Sequence, residues 1–492
     1  MELLPSAAEF EELACRHSYV PLMCEVVADL DTPLSLYRKV ARGSHSFLLE
    51  SMEGGERWGR YSMIGLDPHL VFCQRGDTVT IVRRGQTEQL DHQGDPLESL
   101  KNLLAEFAPA TFSGLPGFYG GAVGFLAYDT VKYFEHLPNS AADDTGFADA
   151  FFMVPGLLLV HDNLKNSLTI IALVKVGPGD DGAACYRRGV ATISELHDRL
   201  RAPFAYEAAV PVDGDLSITA NVSRDDFVAM VDRATEYVRA GDVIQVVLSQ
   251  RFCCAEQIDP FTLYRALRLV NPSPYLYYLQ FDDELLVGSS PELLVRKKER
   301  TVEVRPIAGT RPRGRTAAED QEFEAELLAD PKERAEHIML VDLGRNDVGR
   351  IAAYGQVQVD ELMAIERYSH VMHLVSHVQG QLQDDLDMFD AFRACFPAGT
   401  VSGAPKIRAM EIIDELEPTR RGPYAGAVGY FGFSGNMDFA IAIRTVMIKN
   451  GTIYFQAGAG IVADSDPLKE YEETVNKAMA IRKALERAAK GL

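Results

Sequence analysis

Hairpin-joined strands with helices scattered irregularly between them place this chain in the α+β class, as antiparallel β-sheets packed together and flanked by helices. Three observations predict it. Short apolar runs split by Gly, Asp and Ser recur along the chain, the pattern of antiparallel meanders. Strand and helix patterns do not alternate regularly, as a doubly wound parallel sheet would need. Of the 492 residues, 47% are hydrophobic and 24% charged, an ordinary globular balance with length for a large core or two to three domains.

Residues 1–40 read as short helices and a strand around EVVADLDTPLSLYRKV, and the stretch from Ser44 to Gly85 reads as a β-meander. Residues 96–110 are expected to be helical. GLPGFYGGAVGFLAYDTV, rich in glycine and aromatics, is expected as a strand or turn packed closely by its neighbours. GLLLVHDNLKNSLTIIALVKV reads as two strands joined by an Asp-Asn-Leu-Lys-Asn turn, with a helix near 181–201 after it. The stretch 203–220 is the expected seam between an N-terminal part, 1–215, and a C-terminal part, 216–492.

The C-terminal part opens with a capped helix, SRDDFVAMVDRATEYVRAG, ended by Gly241. In the strand DVIQVVLSQRF, Gln245 and Ser249 share one face with Val243 and Val247, while Ile244, Val246 and Leu248 point the other way. A helix over 260–270 leads into NPSPYLYYLQF, a turn entering a strand. ELLVGSSPELLVRK and TVEVRPIAGTRPRG are further strand–turn pieces. One acidic helix is expected over 317–344, HVMHLVSHVQG as a strand, and FPAGTVSGAPKIRAMEIIDELEP as a glycine-rich turn running into a helix. YAGAVGYFGF, DFAIAIRTVMIK and TIYFQAGAG read as closing strands. Pro467 after Asp466 starts the last helix: a side-chain cap, then a residue whose fixed φ suits the first turn.

A formal charge of −22 argues against a nucleic-acid partner or an anionic membrane surface. An anionic ligand would need local positive charge from a metal, Arg or Lys. The seven cysteines are scattered and lack zinc spacing, which fits a reduced cytosol. The N-terminus is acidic, without the basic and apolar regions of a signal peptide, and no apolar stretch reaches transmembrane length. A cytoplasmic protein without a membrane partner is expected.

Along the last helix Glu470, Glu473 and Lys477 sit at i, i+3 and i+7, on one face. Glu333 and Glu336 repeat the Glu-x-x-Glu spacing upstream. Two such helices can supply the oxygen ligands that Mg²⁺ prefers, although solvated helix faces have the same pattern. Arg444 is expected in the strand FAIAIRT, where Ala440 and Ala442 on its face leave an opening for a planar carboxylate. An arginine at a strand end paired to a surface acid reads the same way. An AGAG turn at Gly458 and Gly460 could present N–H groups to an anion, as any tight turn could. His373, with His370, His377, Ser369 and Ser376 nearby, is a structural histidine or a base. Glu292, after Pro291 in GSSPE, suits a general acid. No cysteine sits in a glycine-flanked elbow, which argues against a thiol nucleophile.

Taken in order, PIAGTRPRG, KERAEHIMLVDLGRND, FPAGTVSGAPK, RGPYAGAVGY, IAIRT and AGAGIVADSDPLKEYEETVNKA resemble the chorismate-utilising enzymes, and within them the large subunits of anthranilate synthases. The resemblance is dense over 220–487 and thinner through LLES (48–51) and RWGRYSMIG (57–65). It implies a Mg²⁺ ion bridging to the carboxylate at ring C1, with Glu336 and Glu473 as direct ligands and Glu333 and Glu470 acting through waters. Gly309, Thr310, Thr400, Tyr424, Arg444, Gly458, Ala459, Gly460 and Lys477 match chorismate-binding positions. Glu292 matches an acid and His373 a base, with Thr310 and Gln245 in the same catalytic set.

The activity implied is addition of ammonia at C2 of chorismate with loss of the C4 hydroxyl, then elimination of pyruvate to give anthranilate, the first step of tryptophan synthesis. Gln245 stands where water-activating relatives carry lysine, and Ala308 where aminodeoxychorismate synthases typically carry it. No Gly-x-Cys-x-Gly nucleophile is present, which implies ammonia from a separate glutamine amidotransferase subunit. Glu50 and Ser51, with Pro274, Tyr275 and Leu276, resemble the family's feedback site for L-tryptophan, where many relatives have methionine in place of Leu276.

Overall fold

The computed structural model describes residues 2–51, 59–83, 85–138, 140–203, 210–212, 214–368 and 371–492. The first half runs β1 (Leu3–Leu4), α1 (Ala7–Ala14), β2 (Tyr19–Val27), α2 (Pro33–Val40), β3 (His45–Glu50), β4 (Tyr61–Arg75), β5 (Thr78–Arg83), β6 (Gln86–Asp91), α3 (Pro96–Ala105), β7 (Gly121–Leu126), a 3-10 helix (Tyr128–Tyr133), β8 (Ala150–Asp162), β9 (Ser167–Lys175) and α4 (Gly182–Arg201). Then follow β10 (Ile218–Ala220), α5 (Arg224–Ala240), β11 (Gln245–Cys254), α6 (Pro260–Val270), β12 (Tyr275–Phe281), β13 (Glu284–Ser290), β14 (Leu293–Lys298), β15 (Thr301–Val304) and β16 (Ile307–Pro312). The last third holds α7 (Ala317–Ala329), α8 (Pro331–Gly349), β17 (Gln358–Arg367), β18 (Val371–Gln381), α9 (Met388–Cys395), α10 (Gly399–Ser402), β19 (Gly403–Ala404), α11 (Lys406–Leu416), β20 (Ala427–Gly432), β21 (Met437–Ile441), β22 (Thr445–Lys449), β23 (Thr452–Ile461) and α12 (Pro467–Ala489).

The α+β expectation holds: the named strands form one hydrogen-bonded network of antiparallel ladders, with helices against its faces. Strands of the two halves interleave, because β3 pairs with β12 and β7 with β20. Four helices begin at Asp-Pro: Asp95–Pro96, Asp259–Pro260, Asp330–Pro331 and Asp466–Pro467. In each the aspartate side chain accepts from first-turn N–H groups, and the proline takes a position that needs no donor.

Asp330–Pro331 explains a correction. The single acidic helix expected over 317–344 is two helices, because proline holds Asp330 extended at ψ 114° and a new helix starts on it. Strand β17 and helix α9 were among the elements that had not been expected. Strand β17 is charged and largely solvated, so its sequence carries little alternation. Helix α9 is short and announced only by its Asp387/Asp390 capping box. Part of the expected seam, 204–209 and Gly214's neighbour at 213, lies outside the described residues. No helix among the described residues is long and apolar enough to cross a membrane.

Strand β11 carries the site. Its Val246 and Leu248, with Ala459 and Ile461 of the adjoining β23, pack against Phe227 and Val231 of α5 and Ile412 and Ile413 of α11. The opposite face presents Gln245 and Ser249, as the alternation predicts. Ser249 donates from its backbone N and from Oγ to Glu417 Oε1, each at 2.8 Å. Glu417 is in turn paired with Arg421 at 2.6 Å, and the same guanidinium caps the carbonyls of Val401 and Val247 at 2.7 and 2.8 Å. Both side chains are buried, so neither charge can be stranded. Glu417→Ala should therefore destabilise the protein by about 3–5 kcal/mol. Urea unfolding checks this, and Arg421→Met added to it should recover part of the loss.

Candidate active site

The strand expected to carry Arg444 is broken. β21 ends at Ile441 and β22 begins at Thr445, and Arg444 itself sits in the gap with φ +50°. It therefore does not share a strand face with Ala440 and Ala442. A left-handed non-glycine residue is unfavourable by itself and persists only when its surroundings hold it. Here the Ser289 backbone N donates to Arg444 O at 3.2 Å, and Arg444 Nη1 donates to Asn271 Oδ1 at 3.1 Å.

The break has a second effect. β22 pairs with β23 only as far as Val446–Phe455, whereas β11 pairs with β23 through Ile461. The AGAG segment expected as a turn is thus the end of a strand whose outer edge is unpaired. Ser249 lies opposite Gly458, but its N–H goes to Glu417, so this is a non-hydrogen-bonded pair. The polar groups of Gly458 consequently face outward, and Lys477 Nζ donates to Gly458 O at 3.1 Å. By strand alternation Gly460 faces the same way.

Both glycines are demanded by close approach. A Cβ on Gly460 would collide with Gln245 Nε2, and one on Gly458 would lie 3.0 Å from the Tyr424 hydroxyl. Gln245, laid over Gly460, donates to Glu336 Oε1 at 3.3 Å.

Glu292 lies between β13 and β14, is 5% exposed, and accepts from Thr400 Oγ1 at 2.5 Å. Burial pushes its carboxyl up to about 7, against the opposing pull of the Thr400 hydrogen bond and the Arg444 and Lys477 cations. It is an acid poised to hold its proton near neutrality. His373, on β18, places Nδ1 3.0 Å from Thr310 Oγ1 and 3.2 Å from Gly309 O. A ring nitrogen facing a carbonyl carries the proton, which leaves Nε2 as the basic site. Burial also lowers the imidazole's pKa, keeping it neutral, and Arg444 acts in the same direction. Thr310 reaches His373 because β16 bulges between Ala308 and Thr310, with Gly309 at φ +69°. Ser369 and His370 lie outside the described residues.

The four glutamates stand as two pairs. Glu333 contacts Arg311 at 3.2 Å, and Glu473 contacts Lys477 at 2.8 Å. Among the described residues no three His, Cys, Asp or Glu side chains are gathered tightly enough to hold a metal ion. The helix starts that carry them are nevertheless neighbours, with Lys332 Nζ 3.9 Å from Asp464 Oδ1. The donor set is all carboxylate oxygen. Burial and neighbouring carboxylates raise Glu333 and Glu470, although Arg311 and Lys332 respectively counter them. Hard oxygen donors crowded by like charge suit a hard divalent cation, so these residues fit Mg²⁺ chemically.

A family model described as chorismate binding enzyme matches residues 47–483. The chain belongs to the chorismate-binding enzymes. It is 49% identical to an anthranilate synthase component 1 of Acetivibrio thermocellus over 98% of this chain and 99% of that one. It is 48% identical to one from Pseudomonas putida over 97% of each. Among solved structures, anthranilate synthase component I of Streptococcus pneumoniae is 39% identical with a TM-score of 0.75, over 93% of this chain and 98% of that one. A menaquinone-specific isochorismate synthase of Escherichia coli shares the fold at 18% identity, with a TM-score of 0.71 over 98% and 99% of the chains.

In this chorismate-binding enzyme two of the residues expected to form an effector site, Glu50 and Leu276, are brought together. Glu50 lies directly opposite Leu276 in the β3–β12 ladder. The Glu50 carboxylate is buried, accepting from Tyr264 Oη at 2.6 Å and Arg268 Nη2 at 3.2 Å. The Tyr275 hydroxyl donates to Asp438 Oδ1 at 3.1 Å, while Ser51 and Pro274 are half-buried nearby in sequence. Arg57 and Trp58 of RWGRYSMIG lie outside the described residues. Sequence reasoning did not single out Asn271, whose only signal is its place after a helix in NPSP, nor the Glu417–Arg421 pair.

The state of Glu292 gives a stability prediction. Its carboxyl titrates ordinarily at 4.5 and in the fold at about 7, so the folded chain holds the extra proton. The corresponding stabilisation is full below 4.5 and is lost as pH rises through about 7. Glu292→Gln should therefore gain about 1–3 kcal/mol relative to the parent at pH 8 and little at pH 4, measured by thermal or urea unfolding.

Proposed function

We propose that this chain is the chorismate-converting component of an anthranilate synthase. The observation that carries the reading is a pair of groups held in opposite states around one cation: Glu292 able to keep a proton, His373 kept neutral, and Arg444 acting on both. Relatives of that name at 46–49% identity over nearly the whole chain support it.

Arg444, Lys477 and the outward edge of Gly458, Ala459 and Gly460 receive the carboxylates of chorismate, with Gly309, Thr310, Thr400 and Tyr424 around the ring. Ammonia adds at C2. Glu292 gives its proton to the C4 hydroxyl, which leaves as water. His373 Nε2 then takes the C2 proton as pyruvate departs and the ring becomes aromatic. Glu336 and Glu473 would hold Mg²⁺, with Glu333 and Glu470 behind waters. When bound, that ion supplies Lewis acidity to the ring carboxylate, where charge develops.

Gln245 is a carboxamide with no basic lone pair, so it cannot activate water, and an amine nucleophile is favoured. Ala308 offers no lysine for a covalent adduct. The ammonia comes from a glutamine amidotransferase subunit, and Glu50, Ser51, Pro274, Tyr275 and Leu276 form the L-tryptophan site by which the cytoplasmic enzyme is restrained. In this reading residues 1–215 contribute regulation and 216–492 the chemistry.

Purified protein with chorismate, Mg²⁺ and ammonium should develop anthranilate fluorescence, and EDTA should abolish it. Glutamine should replace ammonium only when an amidotransferase subunit is added. His373→Met should stop anthranilate formation while the amino intermediate accumulates, seen by chromatography of the products. Absence of fluorescence in the parent, with chorismate still bound, would make the chain a silent binder instead.

A further inference from the structure

Arg444 occupies an unfavourable backbone conformation, and one neighbour holds its side chain directly and its main chain through Ser289. That neighbour is Asn271, the residue that ends α6. Asn271 Oδ1 accepts from Arg444 Nη1 at 3.1 Å. Asn271 Nδ2 donates to Ser289 O at 3.3 Å, and Ser289 Oγ donates back to Asn271 O. The Ser289 backbone N in turn donates to Arg444 O at 3.2 Å. The orientation of the carboxamide is fixed, because the guanidinium can only donate and the Ser289 carbonyl can only accept.

We propose that Asn271 is a positioning residue: it aims the Arg444 guanidinium at the carboxylate of the substrate without neutralising it. The inference rests on the reading of Arg444 as a carboxylate-binding group. An amide oxygen is suited to the task, because a carboxylate at the same position would form an ion pair and compete with the substrate.

The same helix reaches the effector region. Arg268, one turn before Asn271, and Tyr264, one turn earlier again, both hold Glu50. Hydrogen-bonded contacts thus run from Glu50 along α6 to Asn271 and on to Arg444.

Steady-state kinetics and calorimetric binding of chorismate to Asn271→Ala and Asn271→Asp test this, each also made with Arg444→Ala. Asn271→Ala should raise KM for chorismate about tenfold and change kcat less than about twofold, and Asn271→Asp should weaken binding further although it adds an ion pair. With Arg444→Ala present, neither change at 271 should have a further effect on affinity. Tyr264→Phe, which removes one bond to Glu50, should shift chorismate affinity in a manner that also vanishes with Arg444→Ala. Asn271 variants that lower kcat with KM unchanged, or that act equally without Arg444, would overturn the proposal. If the parent binds chorismate but forms no anthranilate, the enzymatic reading fails, and the binding arms still decide this one.

Discussion

The site depends on an antiparallel ladder that stops early. β22 leaves β23 after Phe455, while β11 continues beside β23 to Ile461, so the end of β23 has one paired edge and one open edge. The open edge is not solvent-facing waste: Lys477 occupies the carbonyl of Gly458, and the glycines let Tyr424 and Gln245 lie directly against the backbone. What terminates the ladder is the left-handed Arg444, which turns the chain out of register. One strained residue therefore both opens a backbone edge and sets a guanidinium beside it. Its strain is borne by Ser289 and Asn271, outside the site.

Around that edge, cations and carboxylates sit together. The protein carries −22, yet Arg444 and Lys477 converge on Glu292, and Glu292 itself is buried deeply enough to keep a proton near neutrality. A protonated Glu292 removes one carboxylate charge from the neighbourhood of the two cations. His373 follows the same logic from the other side: burial and Arg444 keep it uncharged, so it adds no competing cation and retains a basic nitrogen. Desolvation holds the two titrating groups apart in state; the Arg444 charge works with it at His373 and against it at Glu292.

Local chemistry was legible in the residues, and long-range geometry was not. The Asp-Pro pair at Asp466–Pro467 announced the last helix because capping is decided within one turn. The same pair at Asp330–Pro331 was read through as helix, since acidic flanks on both sides have good helix propensity and mask the interruption. The faces of β11 followed from alternation. Arg444 looked like a strand residue because IAIRTV has strand composition; nothing local distinguishes it from its neighbours, and the break is imposed by Asn271 and Ser289, more than 150 residues away in sequence. AGAG looked like a turn because glycine usually marks one. Its glycines instead leave room for Gln245 of β11 and for Tyr424 in the turn before β20, a reason visible only in space.

Gln245 shows how such a packing choice becomes chemical. Its carboxamide lies over Gly460, in space that any side chain at 460 would take, and it donates to Glu336. A lysine at this position would place a cation against Glu336, withdrawing that carboxylate from a metal and offering a base to water once deprotonated. Glutamine donates the same hydrogen bond without charge, so it adds neither a cation nor a general base beside Glu336. In the proposed reaction, the choice of an amine over water would rest on a neutral donor packed on a glycine. It requires the open end of β23 to exist first, and that returns to the break at Arg444.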